Sequence, residues 1–499
     1  MSAASLLSAT QQQALLEEKQ QLQEANEQLR EENKELRRLL FGSKRERFVP
    51  QADEAQLSLE LASTSSEPAV VVKQTVIYER AVKQIAKKAI RGGFPAHLPR
   101  IDVILQPDED VSGMRKIGEE ITEELDLKPA SLFVRRYIRP RYVSKEETFH
   151  IALLPTRPIE KGMPGAGLLS QLITDKFVYH LPFYRQAQRY EQLGMKIPAS
   201  TLDGWFEGAC CLLEPLYQAL RAQLLSATYL QADETPIAVL DKQKKGKTHQ
   251  GYHWVYYSPE QRLVLFDYQQ GRGGAAVGKL LKDYKGYLQT DGYVAYEQFE
   301  AREDIVLVGC MAHARRYFEH ALDNDKARAQ KVLLWMQELY AVEREAREKN
   351  LSAQERYLLR QQKARPVMDL LGEWLVEEHA KVLPKSAIGK AIYYLVARYN
   401  KIYLYLEDGR LEIDNNPVEN SIRPVALGRK NYLFAGSHAG AQRAAIVYSL
   451  LGCCKLQGIN ANDYLQDVLQ RLPDQPINQL KELLPPYWKK SAISSLPEF

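Results

Sequence analysis

Cysteine is scarce in this chain. It occurs five times in 499 residues, at Cys210, Cys211, Cys310, Cys453 and Cys454. An odd count, two adjacent pairs and no Cys-x-x-Cys exclude a disulfide framework and a paired-cysteine zinc knuckle, and fit a reducing cytoplasm. Long apolar runs are missing as well. No stretch approaches the roughly 18 apolar residues of a membrane span, and the opening "MSAASLLSAT" has no basic n-region, so neither an anchor nor a signal peptide is expected. Charge bias is small: 67 Lys and Arg against 63 Asp and Glu leave +4. That balance does not by itself require nucleic acid. Composition is that of an ordinary globular protein, the length calls for several domains, and no internal repeat is detected.

What is present begins with a heptad pattern. Leu15, Leu22, Leu29 and Leu36 recur every seven residues, with Lys19, Asn26, Asn33 and Leu40 at the facing positions. Residues 1–48 therefore read as a parallel coiled coil, and asparagine at the a positions favours a dimer in fixed register. Residues 49–93 read as linker. Residues 94–160 read as a small β-rich module, in which "SLFVRRYIRPRYV" alternates and places Arg135, Arg136, Arg139 and Arg141 on a strand that could meet DNA. Over residues 161–226 helical periodicity is broken by "LGMKIP". This suggests a helix-turn-helix, with Ser200 as N-cap of the second helix and Lys196, Ser200 and Thr201 at its DNA-facing start.

From residue 227 the pattern turns to a mixed α/β sheet, interrupted at 323–406 by an all-α insertion and resumed over 407–472 before a tail at 473–499. Asp233 lies inside the apolar strand "ATYLQADETPIAVL", and Asp291 ends the strand "GYLQTDGYVAY". An acid in a central strand is costly unless paired or bound to a cation. In "EIDNNPVENSIRPVALGRKNYLFAGS", Asn416-Pro417-Val418-Glu419 fits a helix start with Asn416 as N-cap, and Glu419 lies four residues before Arg423. Taken singly, Asp233 reads as a strand-end acid, Asp291-Gly292 as a turn and Glu419 as a capping acid. Taken together they describe a three-carboxylate site for Mg²⁺ or Mn²⁺, two ions in all, on an RNase H-like fold.

"ADETP", "TDGYVAY", "GCMAHARRYF", "DNNPVENSIRPVALGRKNYLFAGS", the zipper and "STLDGW", in this order, resemble the bacterial insertion-sequence transposases of family sixty-six, over nearly the whole chain. The resemblance implies that Asp233, Asp291 and Glu419 are a DDE metal-binding triad cleaving and joining DNA strands. It implies a supporting role for Cys310 and His313 and accessory proteins encoded by the same element. Asn416 and Arg423 would support Glu419, and Arg429 and Lys430 would neutralise DNA phosphates. The partners implied are element ends, target DNA and a second copy of the chain, with no membrane. One departure stands out: the module before the helix-turn-helix, which carries zinc-binding cysteines in that family, has no cysteine here, so no zinc is expected. The rival readings are an inert dimeric DNA-binding regulator and a structure-specific nuclease of the same fold.

Overall fold

The computed structural model describes residues 132–134, 141–143, 149–151, 155–160, 162–241 and 247–491. The chain divides into one unit, Pro50–Arg136, and another that joins Met1–Val49 to Tyr137–Phe499. Only residues 132–134 of the first unit are described, and they are exposed. The zipper leucines, the linker, Arg135, Arg136 and Arg139 lie outside the described residues, and Arg141 is described only as backbone. That backbone belongs to β1 (Arg141–Val143), paired antiparallel with β2 (Phe149–Ile151).

Three helices follow: α1 (Ala166–Phe177), α2 (Phe183–Gln192) and α3 (Ala199–Leu225). The turn between α2 and α3 contains Gly194 at φ +88°, a left-handed conformation open to glycine at little cost. Ser200 does not cap α3. Pro198 occupies the cap position, and its carbonyl accepts the N–H groups of Thr201 and Leu202 at 3.0 and 3.2 Å, so Ser200 falls inside the first turn. Leu202, Phe206, Leu213, Leu216, Leu220 and Leu224 repeat at helical spacing and are buried. The second helix of the pair is thus a core helix of 27 residues, with Lys196 and Ser200 exposed at its start and Thr201 half-buried.

The sheet has five strands in the order β5-β4-β3-β6-β7. They are β3 (Tyr229–Leu240), β4 (Thr248–Ser258), β5 (Leu263–Gln269), β6 (Gly286–Gln289) and β7 (Ile305–Val308). The first three form an antiparallel meander, whereas β6 and β7 run parallel to β3, which makes the α/β sheet mixed as expected. α4 (Gly274–Leu280) links β5 to β6, and a 3-10 helix (Val294–Phe299) links β6 to β7. β6 pairs with β3 only at Tyr229, Leu230 and Gln231. Beyond that point one edge of β3 is paired by no strand among the described residues, and near its end Ala435 takes up the main-chain bonds of Ala238 and Leu240. Pro236, which cannot donate to a ladder, sits in this one-sided stretch.

Strand alternation separates two cores. Leu230, Ala232 and Leu288 face one side, where they join α1, α2, α3 and the helices that end the chain: α10 (Asn416–Tyr432), α11 (His438–Gln457) and α12 (Ala461–Arg471). Tyr229 and Val308 face the other, with α5 (Met311–Ala321) and the helices of the insertion. The outer strand β5 is covered rather than left open. Ser449 Oγ accepts from Phe266 N at 2.8 Å, and Cys453 Sγ exchanges bonds with Val264, which explains one of the few cysteines as an edge cover.

The insertion comprises α6 (Lys326–Glu348), α7 (Ala353–Lys363), α8 (Arg365–His379) and α9 (Ala387–Tyr403). Arg360 and Glu343 are fully buried within it. Arg360 meets both Glu343 oxygens at 2.7 and 2.9 Å and donates to the carbonyls of Tyr405, Asp408 and Leu411. Every donor of the guanidinium is used, which is the condition under which a buried ion pair is tolerated. Arg360→Leu should therefore lower stability by about 3–5 kcal/mol, because Glu343 keeps its charge in the interior with only Arg356 to meet it. Urea unfolding followed by tryptophan fluorescence checks this; a loss under about 1 kcal/mol would mean that the pair is not structural.

Candidate active site

Asp233 and Asp291 reach the site from adjacent parallel strands. Asp233 lies in β3, and Asp291 lies two residues past the end of β6, where its Oδ1 accepts from Tyr293 N at 2.8 Å. Gly292 makes this turn at φ +84°, and a Cβ there would stand 2.2 Å from Arg398 Nε. The insertion helix α9 grips the same turn: Tyr394 donates to the Asp291 carbonyl at 2.7 Å and Arg398 to the Gly292 carbonyl at 2.9 Å.

The adjacent acids Asp233 and Glu234 part company through strand alternation. Glu234 Oε1 accepts from Arg272 Nε at 2.9 Å and from Nη2 at 2.5 Å, while its Oε2 is buried without a hydrogen bond. The Arg272 guanidinium lies 3.9 Å from the Tyr293 ring centre. Glu234 is thereby linked through Arg272 to the Asp291 turn. Among the described residues Asp233 is left without a cation and accepts only from Glu234 N, at 2.8 Å. Burial pushes its carboxyl well above the ordinary value, and the charges of Glu234, Asp291 and Glu419 push it further. Asp291 and Glu419 thus both lie near enough to act on Asp233.

Glu419 comes from α10. This helix starts one residue earlier than the Asn-Pro-Val-Glu pattern implies, with Asn415 in the cap position, and its cap bond comes from elsewhere. Asp414 Oδ1 accepts from Asn416 N at 3.0 Å, and Asp414 Oδ2 from Asn416 Nδ2 at 2.8 Å. The Asn415 side chain is buried with no partner. Glu419 does not pair with Arg423, which forms no ion pair among the described residues. It pairs across to α5, where Arg316 Nη2 donates to Oε2 at 2.5 Å, while Oε1 is buried without a hydrogen bond. The other acids of this stretch are engaged: Glu412 by Arg356 and Asp414 by Tyr340.

Cys310 and His313 lie beside Glu419. His313 Nδ1 is 3.3 Å from Cys310 Sγ and 3.8 Å from Glu419 Oε1, and Nε2 is 3.3 Å from Arg316 Nη1. Burial holds His313 below its usual range; Glu419 opposes this and Arg316 adds to it. Cys310 Sγ accepts from Asn415 N at 3.4 Å, which ties α5 to the start of α10. A cleft of about 320 Å³ opens over Glu419, lined by Arg316, Asn416, Asn420, Ile422, Arg423 and Ala426. Arg423 and Lys430 are exposed on α10, whereas Arg429 is drawn inward, donating to Thr235 Oγ1 at 3.1 Å and to the Pro236 carbonyl.

Among the described residues, no three His, Cys, Asp or Glu side chains stand at metal-holding geometry. The chemistry of the donor set nonetheless suits a hard divalent cation: oxygen ligands only, with Asp233 facing no cation among the described residues and Glu419 carrying an orphan oxygen. No helix among the described residues is long and apolar enough to cross a membrane.

A five-stranded mixed sheet flanked by helices is consistent with an α/β catalytic domain. Four family models match the chain: the Transposase IS66 family over residues 161–443, the Transposase C of IS166 homeodomain over 28–103, the zinc-finger binding domain of transposase IS66 over 110–143, and the IS66 C-terminal element over 449–485. The chain belongs to the IS66 family of transposases, insertion-sequence proteins with DNA-binding modules. Its residues 110–143 contain neither cysteine nor histidine. It is similar to three proteins of Sinorhizobium fredii (strain NBRC 101917 / NGR234), described as uncharacterized proteins y4jD, y4hP and y4qI. They are 33%, 30% and 31% identical over 91%, 92% and 91% of this chain and 93%, 88% and 88% of their own lengths.

Sequence reasoning missed Arg272, Arg316 and Arg398, whose partners are remote in the chain. It also passed over a short signal: Tyr229-Leu230-Gln231-Ala232-Asp233 and Tyr287-Leu288-Gln289-Thr290-Asp291 share the pattern Y-L-Q-x-D, and β3 and β6 pair Tyr with Tyr, Leu with Leu and Gln with Gln.

Asp233→Asn should raise the melting temperature of the metal-free protein at neutral pH. A carboxylate whose folded pKa is raised costs stability as pH climbs above its unfolded value of 3.8, and that cost is complete only above the folded value. The mutant's advantage should therefore shrink as the melt is repeated toward pH 4. Equal melting curves across that range would show that Asp233 is not under electrostatic strain.

Proposed function

We propose that the chain is a DDE-type DNA transposase of RNase H-like fold, with Asp233, Asp291 and Glu419 holding two Mg²⁺ or Mn²⁺ ions. The observation that carries this reading is the like charge that Asp291, just past β6, and Glu419, on α10, bring to bear on Asp233 of β3, in a chain of the transposase family. Such ions, when bound, activate water and stabilise the leaving oxygen of an in-line displacement. The chain's own groups supply the rest. Arg316 and Arg423, lining the cleft over Glu419, balance charge gathering on the scissile phosphate. Lys430 meets the backbone further along α10. Water cleaves the P–O3′ bond at each element end, leaving a 3′-hydroxyl and a 5′-phosphate. That hydroxyl then attacks a target phosphodiester, expelling its 3′-oxygen, with no covalent protein–DNA intermediate.

The remaining parts fit this reading. The zipper leucines make a dimer or larger assembly on paired ends, accessory proteins of the same element assist it, and the cysteine-free module at 110–143 works without zinc. Cleavage takes place in the bacterial cytoplasm.

The test is cleavage and strand transfer on a labelled element end with Mg²⁺ or Mn²⁺, comparing wild type with Glu419→Gln. The mutant should bind the end as wild type does and cut it at least about a thousandfold more slowly, the scale on which removing a catalytic group acts. Equal cutting would remove Glu419 from the reaction. Binding without cutting by either protein would favour the regulator.

A further inference from the structure

The repeated Y-L-Q-x-D pattern places two glutamines two residues before two of the acids, on the same face of adjacent parallel strands. Gln231 and Gln289 are fully buried on the side of the sheet that receives the chain as it returns from the insertion. Both amide protons of Gln289 are used: Nε2 donates to the carbonyls of Gly309 and Glu412, each at 2.9 Å. Its Oε1 accepts from Tyr229 Oη at 2.5 Å and from Gln231 Nε2 at 2.9 Å. Gln231 Nε2 also reaches the carbonyl of Asp414 at 3.0 Å. Tyr229 Oη closes the set by accepting from Glu412 N at 3.1 Å. Three main-chain groups of residues 412–414 thus find their partners in side chains of β3 and β6, immediately before α10 carries Glu419 out.

We propose that Gln231 and Gln289, with Tyr229, are positioning residues of the active site: a side-chain clamp that fixes the start of α10, and so Glu419, against Asp233 and Asp291. This rests on the three-acid reading above. Gln231 is linked to Asp233 by one residue of strand, Gln289 to Asp291 by Thr290, whose N–H bonds the Val308 carbonyl at 3.0 Å, and both to the third acid through the clamped segment. The clamp thereby refers all three carboxylates to one frame. A buried amide pair with so many ligands is more than filling, since an apolar pair would leave the Glu412 and Asp414 carbonyls without donors.

The test uses the full-length protein and two readouts, Mn²⁺ binding by titration calorimetry and cleavage kinetics on the labelled element end. For Gln289→Met and Gln231→Met we expect Mn²⁺ binding weaker by about tenfold or more, the effect of misplacing one ligand by about 1.4 kcal/mol. We expect kcat to fall while KM for DNA is unchanged, with partial recovery at high Mn²⁺. Wild-type Mn²⁺ affinity and kcat in both would overturn the clamp, as would a parallel loss of melting temperature, DNA binding and activity, which marks a role in folding alone. Should the Met variants fail to fold, Tyr229→Phe removes only the hydroxyl and should still weaken Mn²⁺ binding several-fold; no change would overturn the proposal. Asp233→Asn and Asp291→Asn serve as references. If they bind Mn²⁺ as wild type does, the three-acid reading fails; if they lose it while the glutamine variants do not, only the clamp fails.

Discussion

Everything at the site depends on how a stretch of chain re-enters the sheet without becoming a strand. The polypeptide leaves after α5, builds four helices, and returns at residues 411–416 beside the ends of β3 and β6. A returning segment that formed no ladder would carry buried amide and carbonyl groups without partners, each costly in an interior. The fold meets this from three directions. Glutamine and tyrosine side chains of the sheet take Glu412 and Asp414, Arg360 takes the Leu411 carbonyl, and Met311 N donates to the Ile413 carbonyl at 3.1 Å. Helix α10 starts where these contacts end. The insertion is therefore part of the site's scaffold: Arg356 holds Glu412, Tyr340 holds Asp414, and Tyr394 and Arg398 hold the Asp291 turn.

Against this rigid frame the acids themselves are under strain. Asp233 is half-buried beside like charges with one main-chain donor, and Glu419 is restrained by a single arginine from α5. Removing the charge of Asp233 relieves the fold, and a bound cation would relieve it too. The neighbouring acids Glu343, Glu412 and Asp414 show the contrast, since each has a committed partner. Asp233, with no cation beside it among the described residues, is where a bound cation would contribute most.

Much of this was legible in the chain. Asp233 stood out because an acid interrupts an apolar strand, Asp291 because a glycine follows it at a strand end, and Glu419 because Asn-Pro-x-Glu marks a helix start. The family likeness joined them. The register of α10 was misread by one residue because the cap bond comes from Asp414, outside the pattern, and the expected Glu419–Arg423 pair yielded to Arg316, which local spacing cannot reveal. Ser200 looked like a cap until Pro198 took that place. Arg429 looked free for phosphate, yet it crosses to β3 and spans the edge paired by no strand among the described residues.

The sequence by itself determined the elements and the residue types: periodicity sets helix against strand, burial cost singles out acids in apolar strands, and scarce, scattered cysteines exclude a disulfide framework. Those are local properties, written in neighbours within a few positions. Only the tertiary structure decided which acids stay uncompensated and which are satisfied. That depends on arginines and tyrosines 13 to 103 residues away in the chain. Hydrogen bonds and charges act through space, and sequence spacing carries no record of what a fold brings within 3 Å.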